Sequence, residues 1–178
     1  KPVIVMEPVK GGSLATLSED IAARLRAVQP EWSLASWAMR WVAELENCRV
    51  ILSGMSDEEQ VRDNLRTFES MRPLREQERQ AIDDVRKAIE ARVFVGCTAC
   101  RYCMPCPFGV DIPRNFRIMN DFAMYNHERR LRQEWNEMDA LARADQCRQC
   151  GQCERACPQG LPIREKLAQI ARRMQEEA

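Results

Sequence analysis

The sequence predicts a mainly α-helical chain with a small parallel α/β part at its start. Three observations carry this. Glycine is sparse, at 7 of 178 residues, and aromatics make up 6 %, a composition that favours helix over an all-β sandwich. Two short β-rich apolar runs, Val3-Ile4-Val5-Met6 and Val50-Ile51-Leu52, lie in the first third. The second half carries apolar residues at helical spacing around two tight groups of cysteines.

Apolar residues are 45 % and charged residues 30 %, the balance of a folded chain and not of a disordered one. Lys plus Arg is 27 and Asp plus Glu is 27, so the formal net charge is zero. That removes the electrostatic argument for a nucleic-acid partner and weakens any argument for an anionic membrane surface. No apolar run approaches the roughly 18 to 20 residues that span a bilayer, and no signal peptide is visible.

Val3 to Met6 is a continuous apolar run, of the kind buried on both faces of a parallel sheet. Glu7-Pro8-Val9-Lys10-Gly11-Gly12 follows as a loop. Ile21, Leu25 and Val28 are spaced for a helix over 18–28, and Pro30 ends it. Ser33 is the expected N-cap of a helix reaching about Leu45, with Leu34, Trp37, Ala38, Trp41 and Leu45 on its buried stripe. Val50-Ile51-Leu52 is the second strand. Ser56-Asp57-Glu58-Glu59 reads as a capping box with Ser56 at the cap, starting a helix to about Phe68. A charged amphipathic helix over 74–92 completes a first domain, residues 1–92. Two strands make no stable sheet alone. Strand and helix alternating in this order is a quarter of a (β/α) barrel. A chain that opens one residue before a strand is therefore expected to lack sequence upstream.

Residues 93–178 read as a second, all-helical domain. Asp111-Ile112-Pro113 is an N-cap with proline in the first turn, predicting a helix over 112–123. Another is expected over 127–143. Leu161-Pro162 opens the last, with Ile163, Leu167, Ile170 and Met174 on its apolar face. The domain holds a divergent internal repeat. Each copy has three cysteines at spacing two, a fourth followed by proline, then glycine, an apolar residue and a helix.

The cysteines decide the chemistry. Of nine, eight form two groups: Cys97, Cys100, Cys103 and Cys106, then Cys147, Cys150, Cys153 and Cys157. Cys48 stands apart. Neighbours three residues apart are too close to pair with one another, which points to metal or cluster ligation in a reducing, cytoplasmic setting. Cys147-x2-Cys150-x2-Cys153-x3-Cys157-Pro158 has the spacing of the bacterial ferredoxin run, whose fourth cysteine ligates a second cluster. The first group departs from it by one residue at the last spacing. Two [4Fe–4S] clusters are expected, one on Cys97, Cys100, Cys103 and Cys157, the other on Cys147, Cys150, Cys153 and Cys106. The rival is two zinc sites of four cysteines each, although zinc sites usually use two separated CxxC pairs. A redox dithiol ranks lower, and the absence of CxxCH excludes a c-type haem.

About 40 residues separate Cys106 from Cys147, too many for a compact βαββαβ ferredoxin. The spacing and helical filling resemble the α-helical ferredoxin domain of respiratory iron–sulfur subunits. Together with the first half, the chain resembles the C-terminal part of an aldo/keto reductase-like oxidoreductase with such a domain appended. Glu7-Pro8-Val9-Lys10-Gly11-Gly12 is similar to the loop after that family's seventh barrel strand, and Ser33 to Trp41 to the following helix. Leu52-Ser53-Gly54-Met55-Ser56 and Gln60 to Leu65 are similar to the eighth strand, its loop and its helix.

The resemblance implies the last two β/α units of a TIM-barrel-like fold followed by an α-helical ferredoxin domain. It also implies a nicotinamide dinucleotide, NAD(P)H, held in the complete protein by Gly11, Gly12, Gly54, Met55, Ser56, Gln60 and Asn64. NADPH-preferring relatives commonly place Lys where Gly54 stands and Arg where Gln60 stands, so strong NADPH preference is not expected. The family's catalytic Asp, Tyr, Lys and His belong to earlier strands, and no catalytic residue is assigned here. The implied function is electron transfer through two clusters coupled to a nucleotide-binding barrel. A hydride carries two electrons and a cluster takes one, so a flavin or a redox partner protein is an expected associate. The alternatives are clusters that serve only as structural staples, and zinc in an interaction module.

Overall fold

The computed structural model describes residues 1–176, and the last two residues of the domain assigned to 93–178 lie outside the described residues. The chain divides into two compact units, Lys1–Ala91 and Arg92–Ala178.

The first unit contains a two-stranded parallel sheet. β1 (Val3–Met6) pairs with β2 (Cys48–Leu52) in the register Ile4 to Val50, Val5 to Ile51 and Met6 to Leu52, with an irregularity between Val3 and Ile4. Parallel strands need a crossover, and here it consists of α1 (Glu19–Arg26) and α2 (Leu34–Ala43). α3 (Glu58–Glu69) and α4 (Glu76–Glu90) follow β2. α1 packs on α4, and α2 lies against β2 and α3. Ile21, Leu25, Trp37, Met39, Leu74, Ala81, Val85 and Ile89 are buried and form the apolar interior. Ser33 caps α2 as expected, its Oγ accepting the Ser36 N–H at 2.9 Å.

The strands do not have the burial expected of them. Ile4 is 62 % exposed and Met6 72 %, because the helices of this unit leave much of β1 uncovered. Trp41 and Leu45, expected on the buried stripe of α2, are also exposed. Trp37 packs edge-on against Trp32, with ring centroids 4.9 Å apart, and Arg40 stacks over Trp32 at 4.0 Å. These contacts turn the Trp37–Arg40 side inward and carry Trp41 and Leu45 outward. The cap of α3 is Asp57 and not Ser56. Its carboxylate accepts the Gln60 N–H at 2.9 Å, and the Gln60 side chain returns to accept the Ser56 N–H at 3.0 Å. A carboxylate at the cap satisfies a free N–H and meets the positive end of the helix dipole.

The second unit is helical: α5 (Ile112–Tyr125), α6 (Glu128–Asn136), α7 (Gln152–Ala156) and α8 (Ile163–Glu176), with 3-10 turns at Ala140–Ala142 and Ala144–Gln146. Its core is Val110, Ile112, Phe116, Ile118, Leu131, Trp135, Ile163, Leu167 and Ile170, with six of the grouped cysteines packed at its margin. The last helix buries Ile163, Leu167, Ile170 and Met174, the face read from the sequence. The helix expected over 127–143 stops at Asn136. Asp139 accepts the Leu141 N–H at 2.8 Å and opens a 3-10 turn in place of another helical turn. No described helix is long and apolar enough to cross a membrane.

Candidate metal centre

Each cysteine group sits on a short loop whose backbone leaves the ordinary right-handed regions at matching places. Ala99 and Arg101 have φ of 54° and 65°, and fifty positions later Gln149 and Gly151 have φ of 57° and 76°. Gly109 and Gly160, which follow the two Cys-Pro pairs, have φ of 85° and 60°. The repeat seen in the sequence is thus a repeat of backbone conformation. A left-handed residue between cysteines folds the chain back, so that successive thiols face a common space instead of alternating sides. Non-glycine residues there cost on the order of 1 kcal/mol each. Gly151 avoids that cost, and Arg101, its counterpart, bears it.

The loops gather the thiols into two cavities. One is walled by Cys97, Cys100, Cys103 and Cys157, with Phe116 and Ile163 as apolar neighbours. The other is walled by Cys103, Cys106, Cys147, Cys150 and Cys153, with Tyr102, Phe108 and Leu167. The second is the roomier, about 150 Å³ against about 20 Å³. The first cavity thus takes three thiols from its own loop and Cys157 from the other, and the second takes three from its own loop and both Cys106 and Cys103, which borders the two cavities, from the first. Among the described residues no three His, Cys, Asp or Glu side chains converge tightly enough to hold a single metal ion. Tyr102 is 71 % exposed, so its ring edges the second cavity without covering it.

Burial pushes the Cys103 thiol up from its ordinary range, and the Cys153 thiol up to about 11. Both are neutral at pH 7 until a metal takes the place of the proton, so loading releases protons. Sulfur atoms in both loops already accept donors. The Ala99 N–H lies 3.4 Å from Cys97 Sγ, and Gln149 Nε2 lies 3.8 Å from Cys147 Sγ. Cys48, by contrast, lies at the start of β2 with its Sγ 3.8 Å from the Val50 carbonyl, outside both cavities.

Two asparagines of α5 set the approach to the loops, and the sequence reading missed both. Asn120 exchanges hydrogen bonds with the backbone of Val95, 2.9 Å from its N–H and 2.8 Å to its carbonyl, just ahead of Cys97. Asn115 is fully buried. Its amide donates to the Asp111 and Ala142 carbonyls, both at 2.8 Å, and accepts the Ala144 N–H at 2.9 Å, just ahead of Cys147. The signal was present: Asn115 shares a helical face with Ile112 and Met119, and a polar residue on an apolar face needs partners.

The seven nucleotide candidates also come together, within the first unit. Gly11, Gly12, Gly54, Met55, Ser56, Gln60 and Asn64 line one open cavity of about 680 Å³ beyond the C-terminal ends of β1 and β2, a size usual for small-molecule sites. Asn64 donates to Ser53 Oγ at 3.0 Å, tying α3 to the loop after β2. Gly12, with φ of 89°, occupies a conformation that side chains rarely adopt. The charged residues of this lining are Glu7 and Asp63, both acidic, and the Ser56 N–H is already held by Gln60.

A family model described as the 4Fe-4S dicluster domain matches residues 96–162. No curated protein and no solved structure matches the chain. The dicluster match covers both cysteine loops and the helices between them. The C-terminal part of the chain is therefore ferredoxin-like, and its cofactor class is iron–sulfur.

Proposed function

We propose that this chain is the electron-transferring portion of an iron–sulfur oxidoreductase. Cys97, Cys100, Cys103 and Cys157 would hold one [4Fe–4S] cluster, and Cys147, Cys150, Cys153 and Cys106 the other. The observation that supports this reading is that Cys157 shares a cavity with Cys97, Cys100 and Cys103, while Cys106 shares the other with Cys147, Cys150 and Cys153, at whose edge Cys103 also lies. A [4Fe–4S] cluster supplies one-electron chemistry at cysteine thiolates. The chain contributes the thiolates, the loops that aim them inward and an apolar collar of Phe116, Ile163 and Leu167 that limits water.

The first unit is read as the last two β/α units of an aldo/keto reductase-like barrel that binds NAD(P)H in the complete protein, through the seven residues named above. Support comes from their shared lining at the strand ends, where parallel barrels place ligands. The acidic Asp63 and the missing Lys and Arg at Gly54 and Gln60 argue against a 2′-phosphate there, and so for NADH or weak discrimination. Exchange between a two-electron nucleotide and one-electron clusters calls for a flavin or a redox partner protein. Free thiols in such numbers suit a cytoplasmic setting.

Anaerobic preparation tests the cluster assignment. The protein is expected to be brown, with about eight iron and eight sulfide per chain. Colourless protein with two zinc ions would replace the cluster reading with an interaction module. Cys157→Ser separates crossed from local ligation: electron paramagnetic resonance is expected to show damage to the cluster on Cys97, Cys100 and Cys103. Loss of the Cys147 cluster instead would mean that each loop closes on itself. Failure of both clusters to accept electrons from any physiological donor would leave them as structural staples.

A further inference from the structure

The two halves of the repeat match in backbone but not in what they offer the sulfur atoms. At the first left-handed position the first loop carries Ala99 and the second Gln149. Gln149 Nε2 reaches Cys147 Sγ at 3.8 Å, whereas Ala99 has only its backbone N–H for Cys97 Sγ. The glutamine is braced from α8. Its Nε2 also meets the Arg164 carbonyl at 3.4 Å, and Arg164 returns a bond from its guanidinium to the Gln149 carbonyl at 3.4 Å. Arg164 is fixed in turn by Glu154, which accepts its backbone N–H at 2.9 Å and its Nε at 2.8 Å. A chain of contacts thus runs from Glu154 through Arg164 and Gln149 to one ligand sulfur.

We propose that Gln149 is a tuning residue that donates an N–H to the Cys147 sulfur and raises the reduction potential of the cluster on that loop. The inference rests on the cluster reading above and deepens it. One-electron reduction adds a negative charge that spreads onto the ligand sulfurs. A donor aimed at such a sulfur stabilises the reduced form more than the oxidised one. The Glu154–Arg164 pair adds little net charge, and each cavity has a further arginine in its lining, Arg101 in the first and Arg148 in the second. The first loop has no equivalent side chain, so the two clusters are biased differently and the electron is drawn toward the second loop.

The test is a dithionite titration of the whole cluster-loaded chain, followed by electron paramagnetic resonance, for the wild type and two variants. Gln149→Leu removes the donor and is expected to move one of the two reduction steps to lower potential, leaving the other in place. Ala99→Gln places the same side chain at the matching position of the first loop, where φ of 54° is close to the 57° that Gln149 already accepts. It is expected to raise the other step. If Gln149→Leu retains its iron and neither step moves, the inference is overturned while the clusters stand. If Gln149→Leu fails to hold iron, Ala99→Gln decides alone, and an unmoved first-loop step overturns the inference. A wild-type chain without iron or sulfide overturns this inference and the cluster reading together.

Discussion

Glu78 has the most demanding environment of any single carboxylate in the first unit. Its side chain is 1 % exposed and takes four donors: two from Arg72 at 2.6 and 2.8 Å, one from Gln29 at 2.8 Å and the Arg75 N–H at 2.7 Å. The hydrogen bonds from Arg72, against the opposing effect of burial, bring its carboxyl down to about 2 from an ordinary 4.5. A depressed folded-state pKa contributes stability that is complete above 4.5 and is lost as pH falls toward 2. By linkage the contribution is on the order of 3 kcal/mol. Urea unfolding of the first unit, followed by tryptophan fluorescence, is expected to show a midpoint that falls between about pH 5 and pH 2. Glu78→Gln is expected to cost about 2 kcal/mol at pH 7 and to flatten that acid limb. An unchanged limb in the variant would assign acid sensitivity to other groups. The local sequence shows part of this network, since Glu78 is at the third position of its own helix with Arg75 at the cap and Arg72 six residues back, but it does not show Gln29.

At the scale of elements, legibility followed the distance over which a residue acts. The cysteine loops were readable because ligand spacing is local: three thiols within seven residues already imply a common point. The caps at Ser33 and Asp111 were readable for the same reason, since each serves an N–H three residues on. The end of α6 was not. What stops it includes Asp139 and, across the fold, Asn115 holding both Ala142 and Ala144. The charged, unbroken stretch before Cys147 continues to look helical until that long-range partner is known. Asn115→Leu removes the side chain's hydrogen bonds to Asp111, Met138, Ala142 and Ala144, and leaves the Ala144 N–H and the Ala142 carbonyl with fewer partners in the core. The expected cost is about 2 to 3 kcal/mol, with iron lost first from the Cys147 loop. Iron content and urea midpoint measured together check this. A variant that loses stability while both sites stay fully loaded would show that Asn115 supports the core but not the loop.

At the scale of the whole chain, the two units draw their stability from different sources. Residues 1–91 have an apolar interior and the Glu78 network, and their one cysteine, Cys48, stands outside both thiol cavities. The second unit packs six cysteines against the margin of its core. On the proposed ligation its folding is coupled to loading. Removing iron with a chelator and oxidant is expected to make the chain from Arg92 onward susceptible to protease, while α1 to α4 stay protected. Mass spectrometry of the fragments over time reads this directly. Equal loss of both units would show that the first depends on the second. Burial of the strands was the least readable feature at this scale. Apolar content predicts that Ile4 and Met6 can be covered, but not that this chain's own helices cover them.

The proposed exchange of the fourth cysteine bears on the unfolded chain as well. If Cys157 closes onto Cys97 and Cys106 onto Cys147, the clusters act as two nested cross-links, one spanning about 60 residues and the other about 41. In chain-entropy terms each closure of that length removes conformations worth about 4 kcal/mol from the unfolded ensemble. Closure within each loop would span only about ten residues and remove about 2.7 kcal/mol, so roughly a third of that constraint would be forgone. On the proposed ligation, the swap of one thiol would convert two local metal sites into long-range ties, each restraining α5, α6 and the turns between the cysteine groups.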